Sequence, residues 1–208
     1  RSSKLGISIY NMSVNNLEIL NVAGYKFEPL ENLDFLIPQF QNKCDELDLK
    51  GSVYLSPNGI NFSIAGTEEN VNTYIEFMEQ NSKFKDIPLK KTTSATQPFR
   101  RMKVRLKKEI ISLGREDINP KEITAEYISP RELFEIYENK EDVIVLDTRN
   151  EYETRVGTFE NAIDLQLDTF RDFPSAVETL PDEYKDKQIV MYCTGGIRCE
   201  KASAVMMK

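Results

Sequence analysis

The sequence predicts two consecutive modules of mixed α/β character, on three observations. At roughly 100–150 residues per domain, the 208 residues allow one large or two small domains. The first half orders its patterned segments as strand-helix-strand-strand-helix-strand. The second half alternates short, continuously apolar runs with helical segments, the order that builds a parallel sheet. Composition is that of a globular protein, 40% hydrophobic and 29% charged. No stretch approaches the roughly 20 apolar residues that span a bilayer.

Residues 1–18 are polar and weakly patterned, and are expected to form a poorly ordered leader. Ile19 to Phe27 is short and apolar, a strand. From Leu30 to Leu49, helical spacing puts Leu33, Leu36, Ile37, Phe40, Cys44 and Leu47 on one face. Pro38 interrupts that pattern, so the helix is expected to start or kink there. Cys44 lies on the apolar face and reads as core. Gly51 to Leu55 is a strand, Ser56-Pro57-Asn58-Gly59 a turn, and Ile60 to Ala65 the alternating partner strand. Thr67-Glu68-Glu69-Asn70 offers a cap to a helix with Val71, Tyr74, Ile75, Phe77 and Met78 on its apolar face. Ile87 to Thr92 is the last strand. Over residues 19–98 this is the ferredoxin-like split βαβ order. Residues 99–126 read as a basic extended segment, Met102 to Leu113, and a polar linker, Arg115 to Thr124.

The second module occupies residues 127–208. Ser129-Pro130-Arg131-Glu132 combines a serine N-cap, proline at N1 and glutamate at N3, a helix start. Val143 to Leu146 reads as a buried strand ending at Asp147-Thr148-Arg149. A short helix over Glu151 to Arg155 ends near Gly157, a short strand spans Ala162 to Leu165, and one or two short helices fall between Leu167 and Leu180. Gln188 to Tyr192 is the next buried strand, and Arg198 to Met207 has a helix-forming composition.

The chain has no histidine, which removes every Ser-His and Cys-His catalytic arrangement. Its three cysteines, Cys44, Cys193 and Cys199, do not form a disulfide framework or a zinc site, and a reducing cytoplasm is the default compartment. Any nucleophile must therefore be activated by backbone dipoles or by arginine and lysine. Net charge is −7, against indiscriminate polyanion binding. Yet Lys90, Lys91, Arg100, Arg101, Lys103, Arg105, Lys107 and Lys108 fall in one run without an acidic residue. The run is either one solvated strand face or a polyanion-contacting strip.

The segment that carries chemistry is Cys193-Thr194-Gly195-Gly196-Ile197-Arg198, set between a strand and a helix. In an α/β sheet, ligands bind beyond the carboxyl ends of the strands. A loop closing onto a helix N-terminus turns several N–H groups inward, the glycines permit positive φ, and the helix dipole and Arg198 add positive potential. A thiol held there has a depressed pKa and exists largely as thiolate. The same cradle suits a persulfide or an anionic substrate group. Cys199 either packs at the helix start or resolves an oxidised Cys193. Asp147 and Arg149 lie on the same sheet edge and either organise the active-site loop or tie one loop to the next.

Asp147-Thr148-Arg149-Asn150, Gly157-Thr158-Phe159 with Ala162-Ile163, and the Cys193 loop together resemble a rhodanese domain. The run from Cys193 through Glu200-Lys201-Ala202-Ser203 resembles the signature of the rhodanese-related tRNA uridine-34 hydroxylase family. Tyr25-Lys26-Phe27, Gly51, Gly59-Ile60-Asn61, Gly66 and Phe99-Arg100-Arg101-Met102-Lys103-Val104-Arg105 are similar to that family's N-terminal, acylphosphatase-like domain. The resemblance implies oxygen-dependent conversion of the tRNA wobble uridine to 5-hydroxyuridine, with dioxygen as co-substrate, tRNA as partner and Cys193 essential. No flavin, haem, iron or other cofactor or metal motif is visible. A rhodanese domain continues past such a helix, so the second domain is expected to be incomplete at Lys208. A sulfurtransferase working through a Cys193 persulfide and a non-catalytic tRNA- or protein-binding module are the alternatives.

Overall fold

The structure, a computed structural model, describes residues 18–208. Apart from Glu18, the expected leader lies outside the described residues. The first domain is a sheet with two helices on one face. Strands β1 (Ile19–Phe27), β2 (Lys50–Ser56), β3 (Gly59–Gly66), β4 (Lys90–Ser94) and β5 (Met102–Leu106) take the order β4-β1-β3-β2-β5. The first four pair antiparallel, and β5 joins β2 in parallel with Val53 opposite Val104. Helices α1 (Leu33–Glu46) and α2 (Glu68–Glu79) pack their apolar faces on it. Val22, Phe40, Cys44, Val53, Ile64, Val71, Tyr74 and Met78 form one buried cluster. Because side chains alternate across a strand, burial of one face leaves Ala23, Tyr25, Phe27, Asn61, Tyr54, Lys103 and Arg105 on the other.

Three local readings are corrected. Pro38 neither starts nor ends α1, which begins five residues earlier and passes through it. One backbone bond is forfeited, and burial of Phe40 and Cys44 outweighs it, since helix stability in proteins comes mainly from the packed face. The last strand of the split pattern is Lys90–Ser94 rather than Ile87 to Thr92. Pro88 has no N–H for the ladder, so pairing with β1 starts at Lys90 opposite Ala23, while Ile87 stays in the core. The basic segment after it is not free chain: β5 covers the sheet edge beside β2, with Met102 and Val104 on the core.

The second domain carries α3 (Pro130–Asn139), β6 (Val143–Asp147), α4 (Glu151–Thr154), β7 (Ile163–Asp164), α5 (Phe173–Val177), β8 (Gln188–Tyr192) and α6 (Ile197–Met206). Its parallel sheet has the order β7-β6-β8. Ser129 caps α3 through a complete capping box with Glu132. The connecting segment is structural. Leu113 and Ile118 enter the second core beside Leu146, Leu167, Phe173 and Ala202. Asn61 donates to the Ile110 carbonyl at 3.0 Å, tying the same segment to the first sheet.

Candidate active site

β6 and β8 lie side by side and end together, which places Asp147 and Tyr192 in register and sets Cys193 at the sheet's carboxyl edge. The chain then closes through Thr194 to Gly196 onto α6. Only Gly196 takes a positive φ, at 90°; Gly195 does not, so one glycine rather than two supplies the left-handed turn. Gly196 donates its N–H to the Cys193 Sγ at 3.0 Å. The Cys199 thiol and backbone N–H, the Arg198 charge and the Gly195 N–H also favour the ionised sulfur; together they overcome burial and hold Cys193 well below the ordinary thiol range. Cys199 moves the opposite way, its proton held by the hydrogen bond to Cys193 and by burial. Of the two cysteines, Cys193 is thus the one whose surroundings favour the thiolate and Cys199 the one whose surroundings favour the thiol. Cys44, fully buried in the first core, is pushed up to about 12 by burial.

Arg198 does not face the cradle as a free charge. Its guanidinium donates to Glu153 at 2.5 and 2.8 Å and to the Thr194 hydroxyl at 3.2 Å, and Thr194 donates to Glu153 at 2.5 Å. Arg198 beside it holds the Glu153 carboxyl down at about 2. Glu153, on the four-residue helix α4, thus fixes both the cation and the second residue of the loop. Along the chain, nothing marks Glu153 beyond a place on a short helix.

Asp147 is fully buried and receives Arg149 at 2.9 and 2.7 Å, the Tyr192 hydroxyl at 2.5 Å and the Thr158 hydroxyl at 3.0 Å. Burial opposes its charge, but these donors hold its pKa below the ordinary value. Arg149 also donates to the Gly157 carbonyl at 2.6 Å. The pair ties β6 and the 157–159 loop to Tyr192, the residue before Cys193. The deeper link to the cysteines comes from Thr148, whose hydroxyl donates to the Tyr192 carbonyl at 3.0 Å and lies 3.7 Å from the Cys199 sulfur.

Helix α6 is gripped by its charged residues. Lys201, 1% exposed, pairs with Glu109 of the connecting segment, which also accepts the N–H groups of Leu113 and Gly114 at 3.2 and 2.9 Å. Ser203 accepts the Ala125 N–H at 3.1 Å. Glu200 receives Tyr127, Thr124 at 3.1 Å and, from β1 of the other domain, Tyr25 at 3.2 Å.

Residues 19–110 match the UPF0176 acylphosphatase like domain and residues 129–208 the Rhodanese-like domain. A tRNA uridine(34) hydroxylase of Cupriavidus pinatubonensis is 39% identical over 92% of this chain and 70% of its own length. One of Bordetella avium is 41% identical over 91% of this chain and 81% of its own. The chain belongs to the tRNA uridine(34) hydroxylase family. One of Legionella pneumophila, strain Paris, is 39% identical over 91% of this chain and 74% of that protein. Family membership bears out the two-domain reading, a split βαβ domain followed by a rhodanese-like one.

The basic run is not one strip. Lys90 and Lys91 stand on β4, while Lys103 and Arg105 stand on β5, at the opposite edge of the sheet. Four strand spacings separate the edges, about 19 Å. Lys90 reaches across the domain boundary to the Gly195 carbonyl at 2.9 Å. Arg100, Arg101 and Lys108 stay with the β5 edge, where Lys107 sits 5.2 Å from the centre of the Tyr54 ring. Among the described residues there is no cluster of three or more metal-ligating side chains, and no helix is long and apolar enough to cross a membrane.

Proposed function

We propose that this chain hydroxylates the wobble uridine of tRNA to 5-hydroxyuridine, with Cys193 as the essential group. The observation that carries the reading is the intact Cys193 loop, sulfur against the Gly196 N–H at 3.0 Å, in a chain that relatives named tRNA uridine(34) hydroxylase match over nine tenths of its length. The loop prepares an anionic sulfur. Cys199 donates to it, Glu153 and Arg198 fix the loop around it, and the Asp147–Arg149 pair steadies the strand end behind it. Dioxygen is the co-substrate in this reading, and the reaction is set in the cytoplasm, where tRNA is found. The two basic edges supply phosphate contacts on either side of the open sheet face, the sequence-independent part of binding.

Replacing Cys193 by alanine in cells and analysing total tRNA nucleosides by mass spectrometry tests the reading: 5-hydroxyuridine and its derivatives disappear. Unchanged hydroxylation with loss of thiosulfate:cyanide sulfur transfer would instead make the protein a sulfurtransferase. If neither changes, a binding module remains. Charge reversal at Arg101, Lys103 and Arg105 lowers the salt slope of tRNA binding by about one unit per lost phosphate contact.

A further inference from the structure

A cleft of about 730 Å³ opens between the two domains, and none of the chemistry described so far uses it. Its floor is the open face of β1, with Ala23, Tyr25 and Phe27. Its far wall is the backbone of Gly195 and Gly196, the segment whose N–H holds the Cys193 sulfur; Cys193 itself does not line it. The approach is close: a Cβ on Gly196 would lie 3.0 Å from the Tyr25 hydroxyl. Tyr127, Glu200 and the cationic side chains Lys26, Lys90 and Lys121 also line it.

We propose that this cleft seats the wobble nucleotide itself, the uracil ring stacked on Phe27 and its phosphate toward Lys26, Lys90 and Lys121. The inference rests on the tRNA reading above and deepens it. Four observations carry it. The volume lies in the range of small-molecule sites, about 300–1,000 Å³. The aromatic floor offers stacking surface to a base taken out of its stack, the usual requirement of enzymes that act on a base. Lys26, Lys90 and Lys121 line the cleft as a source of positive charge for a backbone phosphate, which would displace their bonds to the Lys85 and Gly195 carbonyls and to Glu28. The polar groups inside match uracil, which presents one N–H between two carbonyl oxygens. Glu200 is the acceptor, while Tyr25 and Tyr127 are donors. Burial keeps both tyrosine hydroxyls protonated, so they stay donors at neutral pH. In the free cleft these groups bind one another: Tyr25 and Tyr127 lie 2.9 Å apart, and each donates to Glu200. A base therefore exchanges for existing bonds, and cytosine, with a bare ring nitrogen facing Glu200, exchanges poorly.

The test uses the full chain and an anticodon stem-loop RNA carrying 4-thiouridine at its wobble position, irradiated and mapped by peptide mass spectrometry. Adducts are expected on peptides containing Tyr25, Phe27 or Tyr127. Ala23→Leu, which fills the floor, lowers the yield at least fivefold, and Glu200→Gln erases the preference for a uridine over a cytidine competitor. Adducts confined to the β5 edge or to the Tyr152 and Phe159 surface, with RNA bound and hydroxylation still dependent on Cys193, overturn the cleft alone. Failure of the RNA to bind, together with hydroxylation indifferent to Cys193→Ala, brings down the tRNA reading and the cleft with it.

Discussion

Helices α2 and α6 are of similar length, 12 and 10 residues, and are held by opposite forces. α2 buries Val71, Tyr74 and Met78 on a continuous apolar core, with Tyr74 and Phe40 edge to face at 6.1 Å. α6 buries Arg198, Lys201 and Ser203 beside Ile197, Ala202 and Ala204. Removing apolar area from water drives the first, and it is tolerant of direction. The second depends on pairing charges taken out of water, which favours one arrangement and punishes the loss of a partner. The helix that follows the Cys193 loop is thus the one fixed directionally. This fits a loop whose N–H groups must stay aimed at one atom.

The comparison breaks most visibly at Lys201. Lys201→Ala leaves the partly buried Glu109 without its buried cation and costs about 3 kcal/mol in chemical denaturation; Lys201→Met combined with Glu109→Gln recovers most of that. On α2, Met78→Ala costs about 2–5 kcal/mol through the cavity it leaves. That loss is the same from acid to neutral pH, whereas the Lys201 loss shrinks as pH falls through the lowered Glu109 carboxyl.

At the loop, Arg198→Ala removes a favourable charge from beside the thiolate. Because Glu153 already pairs with that charge, the midpoint of Cys193 alkylation against pH should rise by only about half a unit. The sign for stability follows the same shift. A depressed thiol stabilises the fold above its ordinary pKa, and this is lost as pH falls through the lowered value, so Cys193→Ser flattens the stability profile in that window. Glu153, at about 2 against an ordinary 4.5, loses its contribution as pH falls from about 4.5 toward 2, and Glu153→Gln removes that acid limb from a pH titration of unfolding. The smallest effect belongs to the α2 cap. The Thr67 side chain accepts the Asn70 N–H at 3.3 Å, and Thr67→Ala costs about 1 kcal/mol.

Apolar periodicity made α2 and the β2–β3 hairpin legible to within a residue or two, because a repeating pattern reports one buried face. The Ser129 cap was legible for a similar reason, since its hydrogen bonds span only three residues. The Cys193 loop was legible because strand end, glycines and arginine are contiguous. Glu153 was not: its partner Arg198 is 45 residues away, and a glutamate on a short helix looks like any solvated one. Nor was the split of the basic run, because strand order, unlike strand existence, is set by crossovers that charge spacing does not record.

The sequence by itself determined the element types, the ferredoxin-like order and the place of the cysteine loop between strand and helix, all of them consequences of side chains near one another along the chain. Tertiary structure alone decided which edge each basic residue occupies, that Arg198 is neutralised by Glu153, and that Tyr25, Tyr127 and Glu200 meet across two domains. Those depend on contacts between residues up to 175 positions apart. The energy of such a contact exists only once the intervening chain has folded.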